Sequence, residues 1–373
     1  MTRFRNTSAI SAIALAAMTV PAMAELKYDN ASGGSVSLYG QFSPAYQWVD
    51  DGEETSSELV DNAHSNTRVG LMLLQPLGEG TFSFNFETAL GLRSSDGVTQ
   101  GSVPKGVDWS RTNLRKVDFA YDSNEYGKFY LGQGSMASDG IADLDMSGTT
   151  MVNYNGISDT AGSFRFRDSA GALSTVAIAD IAPSLDGGRR GRIRYDTPTF
   201  SGFTLSAAMG EEILASGNDD EFYDVALRYA GEFGAIRVQS GLGYAHKDSD
   251  GGDTDDTFGS VAVLHESGFN GALALGHRDG GGDYVYGKVG YQADWFSIGK
   301  TSLSVDLYDG SDFALSGGAT SSDTQVWGIG ASQMLDEHNV ELYLGYRTYD
   351  FSDNSGTSYQ DIDSVLAGAR WKF

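Results

Sequence analysis

Asp248, Asp250, Asp253 and Asp255 crowd into the run Asp248 to Asp256 (DSDGGDTDD), and hard divalent cations such as calcium bind clusters of carboxylate oxygens like this. The spacing is not that of a helix-flanked calcium loop, because Gly259 stands where a bidentate Glu belongs. Two readings of this run stay open: a low-affinity divalent site and a solvated acidic loop. Similar clusters at Asp50 to Asp61 and Glu211 to Glu221 give the chain several acidic segments. His277-Arg278-Asp279 imitates a kinase triplet but lacks the downstream Asn. The five histidines, His64, His246, His265, His277 and His338, share no metal-binding spacing. There is no Gly-x-Ser-x-Gly elbow and no HExxH helix, so the expectation is a protein that is not an enzyme and has no cofactor beyond a loosely held cation.

The elements that must position these residues are strands. The final residues, Asp361 to Phe373, put Val365, Ala367, Ala369, Trp371 and Phe373 on one face and Ser364, Gly368, Arg370 and Lys372 on the other. Phe82, Phe84, Phe86, Thr88 and Leu90 alternate with Ser83, Asn85, Glu87, Gly91 and Arg93 in the same way. Strands of this kind border an apolar medium on one side and water on the other. A soluble β-sandwich also alternates, so a secreted or surface binding protein such as an adhesin or lectin is the rival reading.

Export is expected from the amino end. Arg3 and Arg5 precede the apolar run Ala9 to Val20, and Ala22-Met23-Ala24 has the small-x-small form of a signal-peptidase site, so residues 1–24 read as a cleaved signal peptide and 25–373 as the mature domain. Without the leader's two arginines, the 25 basic residues fall to 23 against 50 acidic ones, too acidic a balance to hold nucleic acid. Absence of Cys excludes disulfides and thiolate metal sites. No apolar run in 25–373 is long enough for a membrane helix, which says nothing against strands, whose two faces cancel in any hydropathy window.

Short Gly- and Asn-bearing connections alternate with long acidic ones between Ser35 and Phe373. The pattern predicts a transmembrane antiparallel up-and-down β-barrel of 16 strands, among them 35–49, 65–75, 81–92, 190–198, 283–293 and 361–373. Pro44 fits the first only as a bulge or an edge position. Aromatic residues gather at both strand ends, as two membrane interfaces would select. Trp371 and Phe373 belong to the short-turn belt, while Tyr46, Trp48, Tyr223, Tyr244, Phe258, Tyr308, Tyr349 and Phe351 make the other. Residues 135–189 break the rhythm and are too long for a structureless connection. Phe164-Arg165-Phe166-Arg167 alternates within them, so an additional hairpin and a count of 18 strands remain open.

The chain resembles the general porins of Gram-negative bacteria, particularly those of alphaproteobacteria. The resemblance rests on Ser37-Leu38-Tyr39-Gly40, on Gly127-Lys128-Phe129-Tyr130-Leu131-Gly132, on Arg194-Tyr195-Asp196-Thr197-Pro198-Thr199-Phe200-Ser201-Gly202-Phe203 and on the closing aromatic. It implies a homotrimer in the bacterial outer membrane, in contact with its lipid and lipopolysaccharide, whose third loop folds inward and narrows the lumen. It implies further that Asp139, Asp143 and Asp145 supply the acidic rim of that constriction. Strand parity offers Arg68, Arg93, Lys116, Arg192 and Arg194, with Arg228, Arg237, Arg347 and Arg370, as basic residues of the pore wall, and the alternative for each is an ordinary pairing with a lumen carboxylate. Opposed charges across a narrow aqueous gap orient polar solutes. The expected function is passive diffusion of small hydrophilic solutes and ions, with weak cation preference from the acidic surplus. A sugar-specific channel is the alternative that 18 strands would bring.

Overall fold

A computed structural model describes residues 26–315 and 317–373, so the expected leader, 1–24, lies outside the described residues. Sixteen antiparallel staves close on themselves. In the closing seam, Asp363 to Gly368 pair with Asp50 to Ala45, and Trp371 and Lys372 pair with Phe42 and Gln41. Two bonds between Gly40 and Phe373 (2.9 and 3.1 Å) finish it. The short strand Leu26–Asp29 pairs with Ser35 to Leu38, past the point where the last strand has run out. Alternation writes the wall: along Glu221–Phe233, Tyr223, Val225 and Leu227 stand exposed on the outside while Phe222, Asp224 and Ala226 are buried within.

The first two staves are each built in two pieces. Ser35–Phe42 breaks at Ser43, and Pro44 opens the continuation Pro44–Asp50, where its missing N–H is tolerated. The second stave is Thr55–Asp61 followed by Arg68–Leu77, where a single strand over 65–75 is expected. Thr67 donates from N and Oγ1 to the Asp61 carboxylate (2.7 and 2.6 Å), which pinches residues 62–67 inward out of the wall. Half of the acidic cluster Asp50 to Asp61 is therefore wall rather than outer loop: Asp50, Glu58 and Asp61 lie on strands, while Asp51, Glu53 and Glu54 form the turn, where Asp51 is buried beside Arg167 at 2.9 Å.

The long connection, 136–188, turns into the lumen and fills the half of it between Glu221–Phe233 and Val340–Asp353. The expected additional hairpin exists, as Arg165–Arg167 paired with Leu173–Ala177, but it is a separate two-stranded piece inside the mouth and the barrel count stays at sixteen. Ile141, Met151, Ile157, Phe164, Phe166, Ile178, Ile181 and Leu185 of this connection are fully buried against inward side chains of the wall. Each such burial contributes about 1.5–3 kcal/mol, enough to hold a segment with so little regular structure. Gly345 shows the closeness, since a Cβ there would stand 2.5 Å from the Val152 side chain. Four aromatics of the expected long-loop belt, Phe258, Tyr308, Tyr349 and Phe351, point inward into this packing rather than at a membrane interface. Tyr46, Tyr223 and Tyr244 do face outward, as do Trp371 and Phe373 at the other end, 43% and 38% exposed with rings 5.4 Å apart.

Candidate pore constriction

Opposite the filled half, charged side chains face into the lumen from neighbouring strands. Arg68 from Arg68–Leu77 and Glu87 from Gly80–Ala89 face inward 3.8 Å apart. Lys116 is the cross-strand partner of Glu87. A bulge follows at once, because Glu87 pairs with Lys116 but Thr88 with Leu114, which leaves Arg115 as the unpaired residue. The bulge turns Arg115 inward, where its Nε donates to Glu87 at 2.6 Å. Strand parity places Arg115 on the lipid side, and nothing in the residue types signals the extra residue. Two guanidinium groups thus share one carboxylate with a lysine alongside.

Asp139 is the point where the connection meets this wall. Its carboxylate lies 4.0 Å from Arg189, and its carbonyl accepts from Arg228 at 2.9 Å. Arg189 and Arg190 start the strand Arg189–Asp196, one residue earlier than expected, and with Arg115 they line one cavity of about 410 Å³.

The other two carboxylates expected at an acidic rim lie elsewhere. Asp145 is buried against the opposite wall and pairs with Lys288 at 2.9 Å, both side chains being almost wholly excluded from solvent (4% and 0%). Lys288 also donates to the Asn153 carbonyl, so it clamps the connection at two points. It stands on the inward face of Asp283–Phe296 with Tyr284 and Tyr286, a parity that the sequence displays. Asp143 lies on the side of the connection that faces Tyr284 and Tyr308, where burial and then the nearby Asp186, Asp159 and Asp139 raise its carboxyl well above the usual range. Burial and Asp139 push Asp186 up to about 6. Of the three, only Asp139 stands at the charged wall.

The basic residues also separate. Arg93 lies past the end of Gly80–Ala89, short of the expected residue 92, and instead ties Glu58 (2.7 Å) to the Pro104 carbonyl (2.8 Å). Arg192 is buried and braces the wall, donating to Asp118 at 2.7 Å and to the carbonyls of Gly132 and Ser135. Arg194 grips Asp196 through two bonds (2.7 and 2.9 Å) and holds the root of the connection at the Met136 carbonyl. Arg347 pairs with buried Asp306, and Arg370 with Glu341 and Ser65. Arg68 and Lys116 remain at the charged wall.

The calcium candidates do not converge. Asp255 accepts from Tyr244 and lies 2.8 Å from His246, while Asp250 and Asp253 stand exposed in the turn and Asp248 ends the preceding strand. Among the described residues, no three metal-binding side chains form a group.

A closed barrel with an inward connection and a charged wall has known counterparts. The sequence matches the family described as Gram-negative porin over residues 11–354. The chain belongs to the Gram-negative porins. Among solved structures it is similar to the anion-selective porin from Comamonas acidovorans, at 18% identity and a TM-score of 0.59, covering 91% of this chain and 100% of that one. OmpT of Vibrio cholerae matches at 13% identity and 0.58 over 94% and 100% of the two chains, and OprB of Pseudomonas putida at 8% and 0.61 over 91% and 94%. Among curated proteins none matches. At these identities the structures speak for the fold, and family and fold together place this porin in the bacterial outer membrane as a channel.

Proposed function

We propose that this porin is a homotrimeric, passive diffusion channel for small hydrophilic solutes and ions, seated in outer-membrane lipid and lipopolysaccharide, and that its constriction favours anions. The single observation behind the preference is that Arg68, Arg115 and Lys116 gather on one carboxylate, Glu87, with Arg189 set against Asp139. Four cationic groups against two anionic ones leave a positive excess where solutes pass closest to charge. A trimeric form is among the OmpT structures of Vibrio cholerae, which supports the assembly by likeness.

Weak cation preference has its own support. Asp219, Asp248, Asp250 and Asp253 stand exposed at the loop end, and negative potential there concentrates cations before the constriction. The narrow point outweighs the mouth in our reading, because screening with a Debye length of about 8 Å isolates the outer carboxylates from the lumen at physiological salt. Purified protein inserted into planar bilayers tests both parts. Conductance steps in groups of three support the trimer. A reversal potential of anion sign across a salt gradient supports the constriction reading, and a cation sign returns selectivity to the acidic mouth.

A further inference from the structure

The cavity of about 410 Å³ beside the constriction has a composition that simple ion passage does not call for. Arg115, Arg189 and Arg190 line it with one carboxylate, Glu212, and the same wall carries Leu114, Leu214 and Ala215. Arg190 lies over the Phe222 ring at 3.9 Å, and Glu212 reaches it only at 3.9 Å. The Arg189 and Arg190 side chains keep 34% and 25% of their surface accessible, so part of each guanidinium group can be reached from the cavity although its Nε–H is buried. A planar carboxylate is the acceptor that matches the accessible edge of a guanidinium group.

We propose that this cavity is a docking site for organic monocarboxylates with an apolar body, the carboxylate held by Arg189 and Arg190 and the hydrocarbon lying against Leu214 and Ala215. The proposal rests on the anion-favouring reading of the channel and deepens it. Inorganic anions would satisfy the guanidinium groups alone. An inorganic ion leaves Leu114, Leu214 and Ala215 unused, so the leucines and the alanine are what argue for an organic body. With Arg68 and Lys116, which share Glu87 with Arg115, five cationic groups face the three carboxylates Glu87, Asp139 and Glu212, an excess of two that suits one carboxylate better than a polyanion.

The test is current through single trimers at constant ionic strength with millimolar benzoate, benzamide or sulfate added. Benzoate is expected to interrupt the current in a concentration-dependent way, benzamide not at all, and sulfate at roughly tenfold higher concentration. Arg189→Gln with Arg190→Gln should raise the half-blocking concentration of benzoate about tenfold. Leu214→Asn, in the connection after the strand Phe203–Glu211, should bring benzoate to the level of sulfate and leave sulfate unchanged. Benzoate no better than sulfate in the wild type, or a block untouched by all three substitutions, overturns the site. Anion-sign reversal potential with no benzoate block defeats this site alone. A cation sign with the block intact defeats the selectivity reading and leaves the site standing.

Discussion

The lumen of this porin has two unlike halves. From Glu221–Phe233 round to Val340–Asp353 the inward positions are alanine, glycine, tyrosine and single buried ions, and residues 136–188 pack on them as a core. On the remaining wall Ala45, Val49 and Val60 near the seam still belong to the core, but Gln41, Arg68, Glu87, Arg115 and Gln133 face inward as well, and the connection meets this wall through polar contacts at Asp139, Met151 and Asp159. The same alternation produces both. What differs is whether an inward side chain can be dehydrated cheaply, since apolar and tyrosyl positions invite a packed segment while clustered guanidinium groups repel one. The comparison predicts that changes in the filled half act on stability and on pore size together, whereas changes on the charged wall act on selectivity and spare stability.

Lys288→Met should give the largest effect. It leaves Asp145 buried without its cation, a loss of about 3–5 kcal/mol for a broken buried pair, and it removes a donor to the Asn153 carbonyl. Conductance should rise and become noisy as the connection loosens, and the folded form should melt at lower temperature on gels. Adding Asp145→Asn, which removes the stranded charge, should recover much of both. An unaltered conductance in the single variant would show that the ion pair does not hold the connection. Phe166→Ala follows, at about 3 kcal/mol for a buried phenyl that packs tilted against Phe351 with ring centroids 5.4 Å apart, with the loss confined to the hairpin at the mouth. Protease sensitivity of residues 165–177 measures it, and resistance equal to the wild type would break the prediction.

A pH change probes the filled half. Burial raises Asp143 and Asp186, so folding keeps protons that the unfolded chain gives up near pH 4. The packed connection is accordingly favoured most below that point. Its advantage declines as pH rises towards about 6, where folded Asp186 ionises as well. Thermal stability of the porin should therefore be higher at pH 4 than at pH 7 as far as these groups decide it, and Asp186→Asn should flatten that part of the profile. A profile unchanged in the variant would remove Asp186 from the account.

Much of the wall was legible in the residues because period-two alternation needs no tertiary information. Val340, Leu342 and Leu344 against Glu341, Tyr343 and Gly345 could be assigned to outside and inside from order alone, and were found so. The breaks were not legible. Asp61 reads as one more acid of an outer cluster until Thr67 is seen to close on it, and Arg115 reads as lipid-facing until the bulge is seen. Both depend on which strand lies opposite. The rim failed for a related reason: Asp139, Asp143 and Asp145 are close in sequence, but an irregular segment sends one to the charged wall, one to the side facing Tyr284 and Tyr308 and one to Lys288. Spacing carries orientation only where the backbone is periodic.

Arg115→Gln isolates the charged wall, and it should have the smallest energetic effect. Arg115 shares Glu87 with Arg68, so its removal leaves the carboxylate a partner and costs less than stranding a buried charge outright. Stability should therefore hardly move. Selectivity should, because one cation of the positive excess is lost at the constriction, and the reversal potential should shift towards cations in the same salt gradient. Glu87→Gln should shift it the other way, since two guanidinium groups then face the passage uncompensated. Equal reversal potentials in the two variants would mean that charge on this wall does not govern what passes, and the division of the lumen into a structural half and a selective half would lose its second term.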